Sequence, residues 1–376
     1  MDEVSARKLD HLVITAFYDV RHEATTLLEE VTLIPKTLPE ASLDAVDTSI
    51  TLFGKRLRAP VIVSGMTGGH EIAKRVNAAI ARAVEELGLG MGVGSQRAML
   101  RDPSLVDTYA IARREAPNAV IIANIGAAQL RNLALSDVEK LVEALEADAL
   151  AVHLNAPQEV FQPEGDRDFT RIVEVIARLV EALDVPIVVK ETGHSIDPGS
   201  VATLAALGVE YVDVSGAGGT SWVRVEELRA RNKGEKMLAD GARLYRSWGL
   251  PTAIAVAAAR WAAPGICVLA GGGVWDGLSA LKALALGADA VTIALPVFKA
   301  FVEKGFEGVR EYLASYVDAL RRGMLLIGAR SLRDVYTARI MLGERLAHSL
   351  EALGVDVRLY DDARRARLYT WRPCGA

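Results

Sequence analysis

The stretch HLNAPQEVFQPEGDRDF, His153 to Phe169, packs an imidazole, several side-chain amides and several carboxylates into one short segment. It follows the apolar run ALAV and precedes the amphipathic helical pattern RIVEVIARLVEAL. That order predicts a strand delivering His153, Asn155, Gln158 and Glu159 to one rim, with a polar loop folded over them. Such a set makes poor core and poor linker, and it suits a site that moves protons and holds a charged ligand.

Other chemistry-bearing residues stand at the ends of other apolar runs: Ser64, Thr67, Ser95, Gln96, Arg97, Asn124, Lys190, Glu191, Ser215 and Thr220. Lys190 ends PIVVK, so its stem lies among apolar neighbours and its ammonium reaches the rim. It reads as a fixed cation facing an anion, the bland alternative being an ion pair with Glu191. AGGGV (270–274) and IALP (293–296) read as an anion cradle of backbone N–H groups. GMTGG (65–69) and SGAGGTSW (215–222) are either close-approach rims for a flat ligand or simple tight turns. Taken with Asn124 and Lys190, the glycine rims suggest a planar phosphorylated cofactor such as flavin mononucleotide (FMN). No dinucleotide fingerprint follows an early strand. SQR (95–97) and RKLDH (7–11) could clamp a diphosphate. On spacing alone, Arg7, Lys8 and His11 read more readily as a solvated charged face.

These residues need a scaffold. The apolar runs VIVSG (61–65), LGMGVGS (89–95), VIIANIG (120–126), ALAVHLN (149–155), PIVVKET (186–192), YVDVSG (211–216), ICVLAGGG (266–273) and AVTIALP (290–296) alternate with helical patterns. Strands apolar on both faces are expected where both faces are covered. Eight such units predict an α/β protein, a (β/α)8 TIM barrel, with the doubly wound sheet as the alternative. Polar loading at the strand C-termini is where that barrel carries its active site. The expectation is a single domain, with an N-terminal extension over 1–58, the barrel over 59–323 and a C-terminal helical extension over 324–376. The segment 215–252 is too long for a plain strand-to-helix loop and suggests a lid.

The 376 residues are 51% hydrophobic and 24% charged, with a formal net charge of −5, which fits a globular chain and argues against a general nucleic-acid surface. The two cysteines, Cys267 and Cys374, have neither metal-site nor disulfide-framework spacing, and Cys267 reads as a buried small hydrophobe. No run is long and apolar enough to span a membrane and the N-terminus lacks a signal-peptide core, so a cytoplasmic protein is expected.

RKLDHL (7–12), SGMTGG (64–69), GVGSQRAML (92–100), ANIGA (123–127), HLNAPQE with QPEGDRDF (153–169), KETG (190–193), SGAGGTSW (215–222) and GGGVWDG (271–277) together resemble the type 2, flavin-dependent isopentenyl diphosphate isomerases over nearly the whole chain. The resemblance implies interconversion of isopentenyl and dimethylallyl diphosphate in isoprenoid biosynthesis, with reduced FMN, Mg2+ and NADPH or NADH as reductant. It implies Arg7, Lys8, Ser95, Arg97, Asn155 and Gln158 as substrate-binding residues, and Gln158, Lys190, His153 and His11 as catalytic ones. Glu159 would ligate the metal. FMN would lie against Ser64, Gly65, Met66, Thr67, Ser95, Asn124, Lys190, Ser215 and Thr220, with its phosphate at Gly271, Gly272, Gly273, Ala294 and Leu295. The small diphosphate is the expected partner, alongside a homo-oligomer, tetramer or octamer. The chain departs from its relatives at HSID after KETG, which leaves His194 without an implied role, and at TIALP, where a glycine turn is common. An FMN oxidoreductase of the 2-hydroxy-acid dehydrogenase or glutamate synthase type is the enzymatic alternative. It leaves the RK–H element and QPEGDRDF unexplained. A non-enzymatic phosphate-binding barrel is the third.

Overall fold

A computed structural model describes the backbone of residues 3–370 and 374, and the side chains of 7–365 and 374. Eight parallel strands close into a barrel: β1 (Val61–Val63), β2 (Gly90–Gly92), β3 (Val120–Gly126), β4 (Ala149–His153), β5 (Ile187–Lys190), β6 (Tyr211–Asp213), β7 (Cys267–Ala270) and β8 (Ala290–Ile293). Closure runs through β8 and β1, with Val291 opposite Val61 and Ile293 opposite Val63. Almost every strand residue is buried, as the unalternating apolar runs predict. The TIM barrel is therefore the fold, and the doubly wound sheet is excluded.

Register puts the chemistry in one layer. Gly126 pairs with His153, His153 with Lys190, and Lys190 with Asp213, so four consecutive strands end level with one another. The strands are shorter than the apolar runs, because the chain turns into loops as soon as it reaches the rim.

Four helices frame that rim. α1 (Glu3–Phe17) lies across the mouth, α2 (Ala156–Phe161) follows β4, α3 (Trp222–Asn232) follows β6, and α4 (Leu295–Leu326) follows β8. The polar loop expected after His153 is thus partly helical. The 215–252 segment is not an open loop either: it folds into α3 and a second helix, Lys236–Tyr245, packed together. α4 is two helices joined at Gly305, whose φ of 60° and ψ of −140° break the helical path.

The opposite end of the barrel is closed by a hairpin, Ile50–Leu52 with Lys55–Leu57. Phe53 and Gly54 both have positive φ at its turn (51° and 74°), the geometry that two-residue hairpins favour. Phe53 then packs on Tyr211, ring centroids 4.4 Å apart. C-terminal helices wrap the same end. Arg364, 1% exposed, donates to the carbonyls of Ala285, Tyr336 and Ala338, and Tyr360 donates to Leu286 O at 2.5 Å.

Candidate active site

A cleft of about 1520 Å3, counting its open mouth, lies at the C-terminal ends of the strands. The implied substrate, catalytic, metal and flavin residues all line it except Gly271, and the other two strand-end residues singled out, Gln96 and Glu191, are buried outside its lining. Gly271 instead packs beneath the rim, where a Cβ would collide with Thr292, Asp213 and Ser215. Arg7, Lys8 and His11, ambiguous from spacing alone, face the cleft because α1 lies over it.

One side of the cleft is a glycine wall. Gly272 and Gly273 have φ of 92° and 79°, and a Cβ on either would run into the backbone of Gly216 or Gly218. The backbone therefore comes unusually close to anything held there. Ala294 and Leu295, at the N-terminus of α4, complete this wall. Ala294 has a φ of −130°, so no glycine is needed there. Residues Val20 and His22 pair with the 219–221 backbone and brace the neighbouring rim.

The floor carries Asn124, His153 and Lys190. Asn124 Nδ2 donates to Val93 O at 2.9 Å, which leaves its Oδ1 to accept from His153 Nδ1, also at 2.9 Å. That assigns the proton of a neutral His153 to Nδ1 and leaves Nε2 as an acceptor. Burial, reinforced by Lys190 and Arg7, pushes the His153 pKa down to about 3, so the ring is neutral throughout the working range. Lys190 donates to the Glu191 carbonyl at 2.7 Å, not to its carboxylate. One oxygen of that carboxylate, Oε2, takes the Gly193 and His194 amides, and Lys190 is turned to the carbonyl instead, so the simple ion pair considered from sequence does not form. His194 donates to Trp248 O at 2.7 Å and packs edge-on against His22, an architectural role.

The roof is cationic. Lys8 Nζ sits 3.0 Å from Ser95 O and 2.5 Å from the Tyr109 hydroxyl. Arg97 has Asp166 at 3.5 Å, and burial together with Arg101 and Arg7 lowers its pKa. Several cations close together give this part of the cleft the charge to take an anion.

The sequence reading missed the group that ties roof to floor. Glu226 on α3 is fully buried; it takes His11 Nε2 at 2.7 Å, Gln158 Nε2 at 3.1 Å and Arg229 at 2.8 Å. Burial raises its pKa, but His11, Arg229 and Gln158 outweigh that and hold it below the ordinary value. Arg229 in turn reaches Glu164 at 2.6 Å and Asp10 at 3.3 Å. Asp213 was also missed: it accepts from Ser215 N and Oγ at 3.0 Å and from Thr292 at 2.9 Å, setting the rim below the glycine wall. A signal for Glu226 did exist. Trp222, Glu226 and Arg229 fall at i, i+4 and i+7 on one helical face, beside an aromatic ring.

Glu159, 5% exposed, accepts from Asn155 Nδ2 at 3.1 Å, Gln162 Nε2 at 3.3 Å and the Asp166 amide at 2.9 Å. These bonds aim a carboxylate into the cleft beside the cations. The QPEGDRDF tail closes over it through Glu164–Arg229 and Asp168–Arg131, latches rather than reacting groups.

The FMN-dependent dehydrogenase family model matches residues 19–100 and 103–342, and this defines the class of barrel. Solved structures of mandelate oxidase share the fold at 20% identity: with benzoyl-formic acid, TM-score 0.58 over 89% of this chain and 90% of the oxidase; a mutant with benzaldehyde, 0.59 over 90% and 95%. Curated relatives are much nearer. The isopentenyl-diphosphate delta-isomerase of Ignicoccus hospitalis is 48% identical over 97% of this chain and 100% of its own length, and that of Aeropyrum pernix 42% over 98% of both. The chain belongs to the isopentenyl-diphosphate delta-isomerase family within that class. It is an isomerase of isoprenoid biosynthesis, which sets aside both the oxidoreductase and the non-enzymatic readings.

Proposed function

We propose that this cleft holds FMN on its glycine wall and floor, and the diphosphate substrate under its cationic roof, in one barrel domain with extensions over 1–58 and 324–376. The observation that carries the reading is convergence. Arg7, Lys8 and Arg97 from the roof, Glu159 from α2 and Lys190 from β5 all line the same cleft.

The residues fit FMN. Gly272 and Gly273 leave room for a phosphate against backbone, with Ala294 and Leu295 at a helix N-terminus beside them. Ser64, Gly65, Met66, Thr67, Ser95, Asn124, Ser215 and Thr220 border the flat space between. When bound and reduced, by NADPH or NADH, FMN supplies an acid/base nitrogen and an electron-rich ring to a double-bond shift without net redox change. Lys190 would hold a positive charge beside the flavin and stabilise its reduced, anionic form. Glu159 would hold Mg2+ as a hard oxygen ligand, and the ion would supply positive charge to the substrate diphosphate.

Isomerisation adds a proton at one carbon and removes another two carbons away. Arg7, Lys8, Ser95 and Arg97 hold the diphosphate so that the alkene reaches inward, with Tyr109 keeping Lys8 in place. Glu226 turns the amide N–H of Gln158 toward itself and so fixes the orientation of that side chain beside the alkene. Asn155 bonds both Gln158 Oε1 and Glu159 Oε1, joining the reacting end to the metal end. His153 offers Nε2 as an acceptor at the floor, and Trp222, edge-on to His11 at 5.2 Å, screens the interior from water.

The test is an anaerobic assay with isopentenyl diphosphate, FMN, NADPH and Mg2+, following double-bond migration by NMR. Migration only with reductant and Mg2+ is expected. Equal turnover with oxidised FMN and no reductant would overturn the cofactor assignment. A homo-oligomer in the cytoplasm is part of the proposal. Met237, Leu244 and Trp248, 89%, 81% and 58% exposed, support the assembly, and purely monomeric protein by light scattering would count against it.

A further inference from the structure

The two cysteines of the chain, 107 residues apart in sequence, meet at the barrel end remote from the active site. Cys267 is the first residue of β7, and Cys374 lies in a turn after the last helix, Val357–Thr370. Both are buried, 3% and 6% exposed. Their sulfurs and a carboxylate oxygen of Asp289 lie within 4.8 Å of one another.

Two thiols and a carboxylate could suggest a zinc site. The surroundings argue otherwise. The Asp289 carboxylate already accepts from Arg260 Nη2 at 2.7 Å, Val268 N at 2.8 Å and Tyr336 at 3.4 Å. Arg260 is itself fully buried, so a divalent cation there would press against an enclosed guanidinium. The carboxylate is the anchor for Arg260.

We propose that Cys267 and Cys374 form an intrachain disulfide that fastens the C-terminal segment to the foot of β7. A disulfide needs sulfurs about 2.05 Å apart, so the pair, within 4.8 Å as it stands, must still close, and rotation about χ1 is the movement that bond formation requires. The oxidant is a small-molecule disulfide such as oxidised glutathione. One cysteine thiolate attacks a sulfur of the small disulfide and expels a thiolate. The second cysteine thiolate attacks the protein sulfur of that mixed disulfide and expels the other. The two thiol protons and two electrons leave with the two small thiols. The cross-link closes a loop of more than a hundred residues, the kind that most restricts an unfolded chain. It reinforces the clamp that Arg364 and Tyr360 already make on the barrel wall.

The experiment treats full-length protein, purified without reductant, with oxidised glutathione. It is then unfolded in guanidinium with N-ethylmaleimide and weighed intact. No maleimide adduct before phosphine reduction and two after it are expected, with the melting temperature falling by several degrees on reduction. Cys374→Ser should abolish that redox dependence while keeping the isomerisation rate at moderate temperature. Cys267→Ala provides the same reading if the first variant folds poorly. Two adducts without reduction, a retained glutathione adduct, or stoichiometric zinc on the thiols would each overturn the proposal.

Discussion

Gln158 and His11 share one carboxylate oxygen, and that sharing makes Glu226 a sensitive position in the site. Glu226→Gln keeps the shape but turns an acceptor-only group into one with an NH2, which must face either His11 and Gln158, at the Oε1 position, or Arg229, at the Oε2 position. Turnover should fall on the order of a hundredfold, the scale of a small misplacement of reacting groups, with flavin binding kept. Steady-state rates and flavin fluorescence quenching check this, and wild-type turnover would remove Glu226 from the mechanism. Glu159→Gln and Lys190→Ala should fail differently. The first should weaken substrate and Mg2+ binding while retaining FMN, seen as a raised KM and a raised Mg2+ requirement. The second should lower kcat and impair flavin binding. Unchanged turnover in both would sink these two assignments.

At the scale of elements, α3 fastens α1 to the cover after β4. Arg229, 1% exposed, holds Glu226, Glu164 and Asp10 from three segments of the chain. Arg229→Met leaves the buried Glu226 and the partly buried Glu164 without their shared cation, so a loss of about 3 kcal/mol is expected. Urea unfolding measures it, and an unchanged midpoint would show that the cluster is not a fastening. The cover and the strand that feeds it were legible because His153–Phe169 is contiguous. α3 was less so. Its run RVEELRARNKGEK reads as a charged surface, because a helix carrying this many ions is ordinarily solvated. Only the docking of α1 and α2 against it turns one of its faces inward.

For the molecule as a whole, buried histidines set the acid limit of stability. Burial, with His194 nearby, pushes His22 down to about 4, and His153 lies at about 3. Unfolded, both take up protons near their ordinary value of about 6.5. Between that pH and about 4 the unfolded chain binds protons that the folded chain refuses, so stability falls as pH falls. The melting temperature should drop between pH 7 and pH 5, and His22→Gln should make that drop shallower. An identical pH dependence in the variant would refute the assignment of this slope to His22.

The barrel, its active end and most of the cleft residues could be read from the chain alone. Apolar runs buried on both faces repeat with helices, and the polar residues that end them have nowhere to go but the rim. Long-range pairings could not be read this way. Glu226 with His11, and Arg229 with Glu164, join residues dozens to hundreds apart, and a charged residue in sequence carries no mark of the partner that will neutralise it. Gly271 is a related case: a glycine run shows that backbone comes close, but only the packed rim decides which glycine borders the cleft and which lies against Asp213 and Thr292.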